Sequence, residues 1–102
     1  MKYGYAKGSD LSLQQEALQN EKCDKILQDI DRKILEPHDV IIVWKIDRLG
    51  LPLKAVIELI DDLTSQSIGF KSIKDIINTT TSLGRLFYKL LRPFLLFIAS
   101  RE

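Results

Sequence analysis

The run Val40-Ile41-Ile42-Val43-Trp44 carries five apolar residues with no polar interruption. A strand with one face in water alternates apolar and polar residues. An unbroken run instead marks a strand buried on both faces, the habit of a parallel sheet covered by helices. The run gives way at once to Lys45, Asp47, Arg48 and the turn residue Gly50. Ligands of open α/β sheets collect just beyond the carboxyl ends of strands. Cations and a carboxylate placed there suggest a site for an anionic, phosphate-bearing substrate.

The rest of the chain supplies partners for that strand. Residues 2–7, with Tyr3 and Tyr5 on one face, read as a first strand. Gly8-Ser9-Asp10 breaks it and offers N-cap chemistry for a short helix running to about Lys22. Asp24 to Ile30 reads as a second, partly exposed strand, and Val40 to Ile46 as the central one. Leu53, Val56, Ile57, Ile60 and Leu63 follow at helical spacing, with Pro52 suited to the first position, where no N–H is needed. Ile68 to Ile73 is a further strand, residues 78–82 a polar loop, and Leu83 onward a final helix. Strands alternating with helices predict an α/β fold, a mostly parallel sheet of about four strands with flanking helices.

One connection is short. Nine residues, Pro37 among them, separate Ile30 from Val40, whereas a crossover containing a helix takes at least ~10–12. Either one face of the sheet is thinly covered, or the second strand is not parallel.

The chain has 102 residues, enough for one domain with a modest core. Its net charge of +1 lacks the basic excess of a free-standing DNA binder. Any DNA contact must then come from local clusters of cations or from another domain. The lone Cys23 excludes an internal disulfide and fits a reducing cytosol; with only His38 beside it, no zinc site can be assembled. No glycine-rich phosphate loop is present, which argues against a flavodoxin-like binder, and no cofactor is expected. The apolar tail from Leu86 to Ala99 is interrupted by Lys89, Arg92 and Pro93. It falls short of the ~20 apolar residues of a membrane span, so a cytoplasmic protein without membrane contact is expected.

In a parallel sheet, Ser9 after the first strand and Asp47-Arg48 after the central one fall at the same edge. A hydroxyl, a carboxylate and the cations Lys7 and Arg48 can converge there. Taken singly, each has a plainer reading: Ser9 as a helix N-cap beside Asp10, Asp47 and Arg48 as a solvated turn or structural ion pair, Lys7 and Lys45 as strand ends in water. His38 reads as an exposed loop residue and Trp44 as core.

Taken together, the blocks resemble a known family. Tyr5-Ala6-Lys7-Gly8-Ser9 is similar to the first-strand motif of the serine recombinases (the resolvase/invertase family), usually Tyr-Ala-Arg-Val-Ser. The block from Val43 to Gly50 closely resembles that family's Val-Trp-Lys-Leu-Asp-Arg-Leu-Gly. Residues 53–59, 69–73 and 80–86 continue the likeness in the family's order, covering most of the chain. The resemblance implies a resolvase-like catalytic domain over residues 1–102, without the DNA-binding domain that follows it in the family. Its serine attacks a DNA phosphodiester, leaving a 5′-phosphoserine link. On this likeness Ser9 is the nucleophile, Lys7 and Arg48 are phosphate-binding cations, and Asp47 is the acidic partner. Preorganised positive groups make sense, because negative charge accumulates on phosphate oxygens in the transition state.

Departures from the family pattern imply weakened cleavage. Family members read Asp-Arg-Leu-Gly-Arg, where this chain has Leu51 in the last place. Lys7 stands for an arginine where bidentate geometry counts. The loop after Ser9 is a few residues short, and the stretch after Ile30 that carries another arginine and a helix in the family is missing. Losing one transition-state donor typically costs ~10²–10³ in rate. The alternative is a catalytically degenerate dimerisation module. The last helix bears Leu86, Leu90, Leu91, Phe94, Leu95, Phe97 and Ile98, more apolar surface than one stripe needs. By resemblance it is the family's dimerisation helix, which implies a homodimer through Leu86, Leu90, Leu91 and Phe94, and a tetramer on DNA during strand exchange. Pro93 should kink or end this helix.

Overall fold

The apolar run lies inside a four-stranded sheet in which every neighbouring pair is parallel. The computed structural model describes residues 1–8, 10–28 and 32–101, and of Arg32 and Arg48 the backbone alone. Strand β1 (Lys2–Tyr5) leads to helix α1 (Leu11–Asn20), strand β2 (Lys25–Leu27) and a 3₁₀ turn at Arg32–Ile34. Then come β3 (Val40–Val43), a second 3₁₀ turn (Ile46–Leu49), α2 (Leu53–Ser65), β4 (Gly69–Ser72) and α3 (Ser82–Ala99). The spatial order is β2-β1-β3-β4.

The short crossover therefore does not reverse β2, which pairs in parallel with β1 through Tyr3–Lys25 and Tyr5–Leu27. Of the expected second strand, Lys25–Leu27 is strand, while Asp29 and Ile30 lie outside the described residues. The two faces of the sheet are unequally filled. Tyr3, Tyr5, Ile41, Val43 and Phe70 face one way and pack with Val56, Leu59, Ile60 and Leu63 of α2 and with Tyr88 of α3. Each fully buried side chain of this kind is worth ~1.5–3 kcal/mol, so this layer dominates the core. On the opposite face the buried cluster is Ala6, Leu18 and Ile42, under α1. Ile41, Ile42 and Val43 are each at most 1% exposed, as an uninterrupted run buried from both sides should be.

Several boundaries differ from the sequence reading, each for a local reason. β3 stops at Val43 because the chain turns into the 3₁₀ turn at Ile46, closed by Gly50 at φ 69°. Pro52 immediately precedes α2 and its carbonyl accepts the Val56 N–H, one place earlier than expected. The 78–82 loop is partly ordered against β4: Asn78 bridges Lys71 antiparallel, and the buried Thr79 Oγ1 accepts the Phe70 N–H at 2.8 Å.

Helix α3 begins where Thr81 Oγ1 accepts the Gly84 N–H at 3.0 Å, a side-chain N-cap. It runs through Pro93 to Ala99, so proline does not end it. Its dock on α2 is narrow. The Tyr88 hydroxyl donates to Asp61 at 3.1 Å, and Arg92 grips the same carboxylate through Nε and a terminal nitrogen at 2.9 and 2.7 Å. Burial first, then the Asp61 carboxylate, holds the Tyr88 phenol well above the usual tyrosine range. Leu83, Leu86, Leu90, Phe94, Phe97 and Ile98 remain exposed, Leu90 to 62%. No helix among the described residues is long and apolar enough to cross a membrane.

Candidate functional site

β1 and β3 are adjacent and parallel with Tyr5 opposite Val43, so both chains leave the sheet at one rim. Main-chain pairing persists a little beyond the strands. The Ala6 N–H donates to Leu27 at 3.0 Å, and Val43 and Trp44 accept from Ile73 and Lys74 at 2.9 Å. The chain then leaves this rim in two places, through Lys7 and Gly8 after β1 and through Lys45 to Gly50 after β3.

The β3 loop is shaped by its apolar residues. Leu49 is 5% exposed and belongs to the main core, and Ile46, three residues earlier, packs against it. That spacing fits one side of a tight turn and leaves Asp47 between them exposed to solvent. Before the turn, the Lys45 ammonium sits 4.9 Å from the centre of the Trp44 ring, a cation–π contact. Trp44 is half-buried and, with Leu13, Ile73 and Lys74, lines a cleft of about 380 Å³ beside the rim.

The β1 loop is held by a residue the sequence reading passed over. Gln14 of α1 has no exposed surface. Its Oε1 accepts the Lys7 N–H at 3.1 Å, and its Nε2 donates to the Lys7 carbonyl at 2.8 Å and to Asp10 Oδ1 at 2.7 Å. One side chain thus satisfies both polar groups of the Lys7 backbone, while the Lys7 ammonium end remains in an exposed residue. The signal was available: Leu11, Gln14 and Leu18 are spaced three and four apart, which puts Gln14 on the buried stripe of α1. Gly8 follows at φ 111°, a conformation that L side chains rarely adopt, so the chain turns sharply just before the candidate nucleophile.

Ser9 and the side chain of Arg48 lie outside the described residues. Of the four candidates, strand pairing brings Lys7 and Asp47 to one rim, both exposed, together with the backbone of Arg48. His38 lies far from this edge in the fold, at the entry to β3, where it is exposed at φ 74°. A cleft of about 440 Å³ lined by His38, Val40, Gly69, Thr79 and Arg85 opens at that opposite, amino-terminal edge. Among the described residues no group of three His, Cys, Asp or Glu side chains is placed to hold a metal ion.

Known proteins share both the sequence blocks and this architecture. The family model described as "Resolvase, N terminal domain" matches residues 16–95, a span that takes in Asp47 and Arg48 and starts after Lys7 and Ser9. The chain is 34% identical over 105 aligned positions to the serine recombinase gin of Escherichia phage Mu, covering 86% of this chain and 54% of that protein. It is 31% identical over 105 positions to a DNA-invertase of Escherichia phage P1, covering 86% and 56%. With the transposon Tn917 resolvase of Enterococcus faecalis, identity is 33% over 108 positions, covering 89% and 59%. The chain therefore spans little more than half the length of these relatives. A solved structure, the N-terminal catalytic domain of TP901-1 integrase, superposes with a TM-score of 0.69 over 100% of this chain and 99% of that one at 19% identity, which is a likeness of fold. With a family match over most of its length and a parallel sheet that delivers the Asp-Arg block to the rim, this chain belongs to the resolvase N-terminal domain family of serine recombinases.

Proposed function

We propose that this chain is the catalytic domain of a serine site-specific DNA recombinase whose cleavage step is weakened. The observation that supports the reading is the parallel Tyr5–Val43 register, from which the chain leaves the sheet towards Lys7 and towards Asp47 at the same rim. In the proposed step the Ser9 Oγ forms a bond to a DNA phosphorus, the P–O3′ bond breaks, and the 3′ oxygen leaves as a hydroxyl carrying the proton given up by serine. Attack by a 3′-hydroxyl on the phosphoserine reverses the sequence and frees Ser9. Lys7 and Arg48 offset the charge on the phosphate oxygens, and Asp47 acts as their acidic partner. The exposed position of Lys7 and Asp47 suits a substrate as large as a duplex. The exposed face of α3 supports a homodimer through Leu86, Leu90 and Phe94, with Leu91 at its margin, and a tetramer during exchange on DNA. The working compartment is the cytoplasm, where DNA is reached and the lone Cys23 stays reduced.

The test is covalent capture on a nicked suicide duplex bearing a target phosphodiester. A DNA-linked band that disappears in Ser9→Ala supports the reading. The second reading, a non-catalytic dimerisation module, is favoured by Leu51 standing where the family has arginine. It predicts no band from the chain as it stands or from a version with that arginine restored, alongside intact self-association.

A further inference from the structure

The rim has a third contributor, and it comes from β4. After Ser72 the chain runs along the carboxyl edge of the sheet, Ile73 and Lys74 still bonded to Val43 and Trp44. Asp75 then turns its carboxylate back towards the β3 loop. Its Oδ2 accepts the Ile46 N–H at 2.9 Å and the hydroxyl of the buried Ser72 at 2.7 Å. Ile46 is the first residue of the 3₁₀ turn that carries Asp47 and Arg48. The leading N–H groups of such a turn have no partner within it, so whatever accepts them sets where the turn begins.

The geometry points to Asp75 as a positioning residue: its carboxylate fixes the start of the Ile46–Leu49 turn and so the placement of Asp47 and Arg48 against a bound phosphate. Leu49 anchors the other end of the turn in the core. Asp75 is therefore to the β3 loop what Gln14 is to the β1 loop. Two loops that must meet at one phosphate are each tied down by a polar side chain from a neighbouring element. A displacement of about 1 Å in such a constellation costs ~10² in rate. This role rests on the recombinase reading, whereas the brace itself does not.

The experiment compares Asp75→Ala, Asp75→Asn and Asp75→Glu in the full chain by two readouts: amide hydrogen exchange at Ile46 and Asp47, and covalent capture on the suicide duplex. Asparagine keeps an acceptor at the same reach, alanine removes it, and glutamate keeps the charge but moves it by one methylene. Expected are faster exchange at Ile46 and Asp47 in D75A with β1 and β4 amides unchanged, a ~10²-fold slower capture, and near-complete rescue of both by D75N. Unchanged exchange in D75A, or D75N behaving as D75A does, overturns the proposal. If D75A does not fold, D75N near the parent with D75E impaired supports it, and equal behaviour of the two overturns it. Should the parent chain capture no DNA, the recombinase reading is what fails, and the exchange data still decide whether Asp75 braces the turn.

Discussion

Tyr5 and Val43 face each other across the β1–β3 pair in parallel register, as the last paired residues of both strands. The relation is a statement about chemistry as well as topology. Antiparallel pairing would send the Lys7–Ser9 segment and the Asp47–Arg48 segment to opposite ends of the sheet. Parallel pairing gives one edge two segments, and each needs its own support, because neither is held by the strand ladder.

Gln14 is the support for the first loop. Gln14→Leu keeps most of the volume but leaves the Lys7 N–H and carbonyl unpaired beside the core. A fully buried polar group so orphaned costs about 1–3 kcal/mol; these groups are part-buried, so a destabilisation of about 1 kcal/mol is expected in urea unfolding. Gln19→Leu, at an exposed position of the same helix, should stay within about 0.5 kcal/mol. Equal effects at the two positions would remove Gln14 from its proposed place.

What the sequence made legible follows its physics. The buried run, the period of α2 and the alternation of strands and helices each express a large burial term, and each is found. The readings that shifted concern small terms settled by tertiary contact. Thr79 is polar and sits in a stretch rich in threonine, yet its hydroxyl closes a bond to the Phe70 backbone inside the protein. Pro93 lies within α3 at an exposed position, where its missing N–H costs one helix bond without ending the helix. Gln14 reads as surface by composition and as core by spacing, and spacing is right. The bonds from Gln14 to Lys7 and from Ile46 to Asp75 are least visible in sequence, because each pairs a side chain with a backbone group, which carries no residue signature.

Asp39 gives the fold an acid limit. The Glu36 N–H donates to it at 2.8 Å, and this, opposed by burial and aided by the Met1 ammonium at 3.0 Å, holds its carboxyl below the usual carboxylate range. A depressed folded value means that its contribution is complete above the unfolded value of about 3.9 and is lost as pH falls through the lower, folded one. Asp39→Asn should therefore be less stable than the parent at neutral pH, with the two converging as pH drops below about 4. Denaturant midpoints across that range check it, and a gap that stays constant with pH contradicts the assignment.

Gly84 separates helix propensity from fit. Alanine in its place gains ~1 kcal/mol as a helix former. Its Cβ would, however, lie 1.8 Å from the Asn78 carbonyl oxygen. That oxygen cannot swing aside cheaply, since the chain around it is bonded to β4 on both sides. Gly84→Ala should lower stability by about 1–3 kcal/mol, read as a melting point several degrees down. A raised melting point would mean that α3 is not seated this closely on the 78–81 segment.

Leu90 tests the exposed face of α3. At 62% exposure its replacement by aspartate touches little of the monomer's core, so the melting point of the monomer should hardly move. If two copies pack through this face, an unpaired carboxylate at its centre costs ~2 kcal/mol or more. That is roughly a thirtyfold weaker dimer by sedimentation equilibrium. A parent chain that sediments as a monomer, or an L90D variant that still dimerises, would assign the face to something else.

Leu51 decides between a weakened enzyme and a scaffold. It follows Gly50 directly at the end of the β3 turn and is 45% exposed, so exchanging it for arginine removes no core contact. The substitution adds a guanidinium next to the loop that bears Asp47 and Arg48. If cleavage is limited by missing positive charge on the phosphate oxygens, Leu51→Arg should raise the rate of covalent capture by up to ~10²–10³. Lys7→Arg should add to it by restoring a bidentate fork, though by less than the product of the two, since such groups act as a unit. The gain must vanish when Ser9→Ala is combined with either change, which separates chemistry from tighter DNA binding. A doubly substituted chain that folds, associates and binds DNA but never forms the serine link would make the missing cations irrelevant. The chain would then be a module for pairing subunits that has lost the reaction its relatives perform.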